Sequence, residues 1–184
     1  LGESPNSSYD NWISHVTEGI AEDGYNNYGP DWLDVQTNGF GSYDRLEENS
    51  PTLEYWDTIF SAFIEGDTTQ VDSLLQDSLQ SFFYELVIFQ DTVYNSTFHI
   101  IREQLDTSYV DINDPENPED DVVGAFRNGW GMFIINPNAE REQVIIQVPH
   151  PCDDFIAPYV ALDLFLQLDS YAFMINGAGR EVLW

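Results

Sequence analysis

The chain has 184 residues, of which 33 are Asp or Glu and five are basic, all arginine (Arg45, Arg102, Arg127, Arg141, Arg180), so its formal net charge is -28. Such a charge repels nucleic acid and anionic membrane surfaces and favours cations or a saline medium. A solvated, halophilic surface explains it, with a specific cation-binding role as the alternative. The single cysteine, Cys152, excludes an internal disulfide, no apolar run approaches the ~20 residues of a membrane span, and 15% aromatic residues supply surface to bury despite the charge.

This length is expected to give one domain with a decorated N-terminal half. The start at Leu1 suggests that a signal or longer precursor lies upstream, and a secreted or periplasmic location is expected. Residues 1–49 mix Trp12, Ile13, Tyr25, Trp32 and Phe40 with many glycines and asparagines, which predicts an irregular aromatic-rich layer packed on the domain. His15 in this layer is expected to be satisfied or exposed rather than a ligand.

Residues 50–123 carry the clearest regular signals. Ser50 and Pro51 suit an N-cap and the first helical position, and Leu53, Trp56, Ile59, Phe60, Phe63 and Ile64 recur at helical spacing up to Gly66. Asp67 can cap a second helix whose stripe is Val71, Leu74, Leu75 and Leu79. Phe82 to Gln90 and Ser96 to Glu103 read as a hairpin, with His99 as a structural strand residue. Asp106 to Asp121 is too rich in proline and acid for a regular element. It is either a solvated loop or, through Asp111, Asn113, Asp114, Asp120 and Asp121, a set of hard oxygen ligands for calcium, although EF-hand spacing is absent.

Residues 124–184 hold the strongest pattern. Gly124 to Asn136 and Glu142 to Val148 read as a second hairpin, whose Val144 to Val148 run suits a strand buried on both faces. Two prolines end it at Pro149 to Asp154. Phe155 to Leu168 then reads as a helix covered on most sides, Tyr171 to Ile175 as a strand, and Gly177 to Arg180 as a turn. A strand, a crossover helix and a second strand in one sheet should pair in parallel, so both loops leave the same edge, where open α/β sheets bind ligands. His150, Asp153 or Asp154, and Arg180 are therefore expected to converge. The expected fold is α/β: a mixed sheet in which antiparallel hairpins lead into a parallel β-α-β unit, with helices packed on the sheet.

A histidine followed three residues later by a carboxylate, just past a strand, can place a nitrogen and an oxygen on one zinc ion, and His150 and Asp153 have that spacing. Asp154 is an alternative ligand, a partner of the ligands or a helix cap. The plain alternative is an Asp-capped helix beside a partly exposed histidine. Cys152 sits among acids, which raise a thiol's pKa and make it a poor nucleophile.

The order of hairpin, strand, Pro149-His150-x-x-Asp153, helix, strand and Gly177-x-Gly179-Arg180 resembles the opening of the phosphorylase/hydrolase-like zinc hydrolases, namely the zinc carboxypeptidases, N-formylglutamate amidohydrolases and poly-γ-glutamate hydrolases. The resemblance implies zinc ligation by His150 and Asp153 and, by position, a catalytic substrate-anchoring role for Arg180. The stretch Pro149-His150-Pro151-Cys152-Asp153-Asp154 is also similar to the PHPDDE motif of zinc deacetylases, where His150 and Asp153 again match ligands. Both resemblances imply zinc-assisted amide hydrolysis. Both also imply that a further ligand comes from downstream, so that this chain is the N-terminal portion of a secreted hydrolase, with the remainder of a longer precursor or another chain covering its C-terminal edge near Met174 and Trp184. The competing expectation is a non-enzymatic acidic extracellular module or assembly subunit that holds calcium or no metal.

Overall fold

A computed structural model describes residues 50–77, 83–91, 94–104, 130–149 and 156–176. In chain order they form α1 (Pro51–Glu65), α2 (Thr68–Leu75), β1 (Tyr84–Asp91), β2 (Ser96–Glu103), β3 (Met132–Ile135), β4 (Arg141–Val148), α3 (Ala157–Gln167) and β5 (Ser170–Ile175). The fold is α/β, with one mixed five-stranded sheet in the order β1-β2-β3-β5-β4. The expected aromatic-rich layer at 1–49 and the acidic loop at 106–121 lie outside the described residues.

Local chemistry sets the helix ends. The Ser50 hydroxyl accepts from the Leu53 amide at 3.3 Å and Pro51 opens α1, while Gly66 closes it at φ +77°, a conformation only glycine adopts without strain. The Asp67 carboxylate then accepts from the Gln70 amide at 3.0 Å and starts α2. Trp56, Ile59, Ala62 and Phe63 form the buried side of α1, and Val71 and Leu75 that of α2. These residues lie against one face of the sheet with Tyr84, Ile101, Ile135 and Ala172. The other face carries Val87, Phe89, Phe98, Ile100, Ile134, Phe173 and Ile175 beneath Leu162, Phe165 and Leu166 of α3.

β1 and β2 form the expected antiparallel hairpin, in register from Tyr84 opposite Glu103 to Asp91 opposite Ser96. β4 and β5 are parallel, as the β-α-β pattern predicts, with Val148 opposite Ile175. The second expected hairpin does not form. β5 lies between β3 and β4, antiparallel to the first and parallel to the second. The start of β5 is bonded between the two runs instead: the Asn136 amide donates to the Tyr171 carbonyl at 2.8 Å and the Arg141 amide to the Asp169 carbonyl at 3.1 Å.

Two burial expectations change as a result. β4 is an edge strand among the described residues, not one covered on both faces, and Ile145 on it is 55% exposed. Helix α3 is buried along Pro158, Leu162, Phe165 and Leu166 only, whereas Ile156, Val160, Leu164 and Leu168 are exposed at successive intervals of four, which is one helix face. Among the described residues the two edges of the sheet are β1 and β4, while Met174 sits half-buried on the interior strand β5 and Trp184 lies outside the described residues. No helix among the described residues is long and apolar enough to cross a membrane.

Candidate functional site

Because β4 and β5 are parallel neighbours, their carboxyl ends finish side by side. The Asn176 amide continues the ladder to the Val148 carbonyl at 2.9 Å, and its side-chain Nδ2 donates to the Pro149 carbonyl at 3.0 Å. One asparagine thus ties the exit of β4 to the exit of β5. His150 is the residue after Pro149, and Gly177 is the residue after Asn176. The strand geometry launches both candidate loops from one edge, as the sequence predicts; His150, Asp153, Asp154 and Arg180 themselves lie outside the described residues. So do the calcium candidates Asp111, Asn113, Asp114, Asp120 and Asp121, as well as His15 and Cys152.

Sequence reasoning did not single out the charged and aromatic groups at this end of the sheet. Register places Glu85, Arg102, Met132, Ile175 and Val148 in one row across the five strands. Arg102 Nε donates to Glu85 Oε1 at 2.8 Å, with both side chains mostly shielded from solvent. On the opposite face the buried Tyr84 hydroxyl donates to the Gly131 carbonyl at 2.8 Å and lies 3.5 Å from Glu103 Oε2. Burial pushes the Tyr84 phenol well above its ordinary value, and the charge and hydrogen bond of Glu103 push it further. Tyr84 therefore stays protonated as a donor at any physiological pH. Trp56 and Trp130 close over it, Trp56 edge-on at 5.0 Å and Trp130 stacked at 6.2 Å between ring centroids. A cross-strand Tyr–Glu pair beneath two tryptophans is legible only when the hairpin register is known.

His99 lies in the middle of β2, opposite Ile88 and Ile135, and its Nδ1 is buried without a hydrogen-bond partner. Desolvation lowers its pKa below 6.5. Among the described residues no acid is paired with it. Among the described residues no group of three or more His, Cys, Asp or Glu side chains is placed to hold a metal ion.

Neither a family model, a curated protein nor a solved structure matches this chain.

Proposed function

We propose that the chain forms part of a zinc-dependent amide hydrolase, with His150 and Asp153 as metal ligands, Asp154 supporting them, and Arg180 anchoring the substrate. The observation that supports this reading is the Asn176–Pro149 tie between the parallel strands, which holds the exits of the two motif-bearing loops together. Zinc would polarise the scissile carbonyl and lower the pKa of a bound water. The imidazole and carboxylate would hold the ion, and the guanidinium would bind an anionic or carbonyl group of the substrate. Metal analysis of the purified protein after dialysis against zinc and calcium tests it. One zinc per chain, lost in His150→Ala and in Asp153→Asn, is the expected result. Zinc content that either variant leaves unchanged, or calcium alone, overturns it.

A second reading, an acidic module within an assembly, is favoured by the exposed Ile156, Val160, Leu164 and Leu168 face of α3. Sedimentation of the protein against a Val160→Asp/Leu164→Asp double variant tests this reading. A mass that falls to that of one chain in the variant supports it, and a single-chain mass for both forms rejects it.

A further inference from the structure

The end of the sheet opposite the β4–β5 exits holds a cleft of about 160 Å³ lined by Tyr94, Ser96, Phe98, Asn136, Phe165, Leu166 and Asp169. That is far above the ~10–15 Å³ needed to seat one water. Its floor is apolar: Phe98 and Phe165 meet at 5.7 Å between centroids, and Leu166 adjoins them, all three buried. Its rim is polar and negative.

Asp169 sets that rim. It follows the C-cap of α3 at φ +48°, where glycine would be least strained, and its carboxylate accepts from Asn136 Nδ2 at 2.7 Å and from the Glu140 amide at 2.8 Å. A carboxylate has about four acceptor positions, so these two donors leave capacity on both oxygens. Asp169 forms no ion pair among the described residues and the last turn of α3 contains no basic residue, although the Arg141 backbone amide bonds to the Asp169 carbonyl. The carboxylate, the negative end of the α3 dipole and the exposed Tyr94 ring act in one direction.

We infer that this cleft is a binding site for a small organic cation, a primary alkylammonium whose short apolar chain lies on Phe98, Phe165 and Leu166 and whose ammonium sits at Asp169 beside the Tyr94 ring. The size of the cleft limits the chain to a few carbons. The inference is independent of the proposed hydrolase: it uses the opposite edge of the sheet and none of the candidate zinc ligands.

The test is calorimetric titration of the full chain with isoamylammonium, its neutral counterpart isoamyl alcohol, and inorganic ammonium, all in 0.5 M NaCl so that diffuse attraction to the net charge is screened. The expected order is isoamylammonium tightest, with each comparison compound roughly tenfold or more weaker. Asp169→Asn should reduce isoamylammonium affinity by about tenfold. Should that variant lose its fold by circular dichroism, Tyr94→Ala and Ser96→Val, which leave the Asn136–Asp169 bonds in place, carry the test, and Tyr94→Ala should weaken binding by about threefold. Equal binding of the alcohol and the ammonium, equal binding of inorganic ammonium, no heat with any of the three, or unchanged affinity in folded Asp169→Asn or in Tyr94→Ala would overturn the inference.

Discussion

The two faces of the sheet are stabilised by different chemistry. Under α3 the buried cluster is aliphatic and phenylalanine with one methionine, Met132, and Phe165 and Phe173 meet there at 5.8 Å. Under α1 and α2 the cluster includes Trp56 and Tyr84, and the same face carries the buried acid Glu103 and the half-buried His99. The first face also carries the Arg102–Glu85 pair and the buried Asp91 on its outer strands, but its cluster itself is held by apolar packing. The second joins packing to groups whose titration is shifted by burial, the Tyr84 phenol upward and the His99 imidazole downward. The cross-strand pairs Tyr84–Glu103 and Ile88–His99 set this asymmetry, since strand alternation sends every second side chain of β1 and β2 to the α1–α2 face.

The comparison breaks most visibly at Phe173, which is fully buried on the α3 face. Phe173→Ala should destabilise by about 3–5 kcal/mol through lost transfer energy and a cavity. The loss should be the same at pH 6 and pH 9 by denaturant titration. A pH-dependent loss would show that the packing face is not independent of the titrating one.

Tyr84→Phe comes next. It removes the donor to the buried Gly131 carbonyl, at a cost of about 1–3 kcal/mol. The sign of its pH effect follows from the raised phenol. Above pH 10 the unfolded chain releases a proton that the folded chain keeps, so stability present below 10 is lost as pH rises toward the folded value. The wild type should show that alkaline loss by thermal melting, and Tyr84→Phe should show less of it, the raised Tyr55 phenol keeping a share. Ser50→Ala follows, removing the Leu53 amide's cap for about 1 kcal/mol, a local change on α1 that should leave the pH profile of either face intact when melting curves are compared.

The legible parts of this fold were those specified by neighbouring residues. Ser50, Gly66 and Asp67 act within one helical turn of themselves, and the β1–β2 hairpin and the parallel β4–β5 pair follow from runs close in sequence. The unread parts depend on partners far along the chain. Insertion of β5 beside β3 rests on Asn136 and Arg141 bonding to Asp169 and Tyr171, some 30 residues later, and turns β4 from a buried strand into an edge. The site was legible to the same extent. The common exit of its two loops follows from parallel pairing, whereas Asn176, the residue that ties those exits together, carries no sequence signature.

The smallest effect is expected at His99, and it tests the asymmetry most directly because no carboxylate among the described residues is paired with it. Its imidazole is about half withdrawn from solvent, its Nδ1 lacks a partner, and desolvation alone lowers its pKa. Below pH 6.5 the unfolded chain takes up a proton that the folded chain resists, so stability is complete above 6.5 and declines as pH falls toward the lowered folded value. The many carboxylates act oppositely at lower pH, where their protonation relieves the repulsion of a -28 chain. The two contributions separate in a difference measurement: the melting temperature of the wild type minus that of His99→Leu, followed from pH 7.5 to 5. That difference should fall as acid is added and level off once the folded imidazole is charged. A flat difference would mean that the histidine is solvated in both states and that Tyr84 and Glu103 alone distinguish the α1–α2 face.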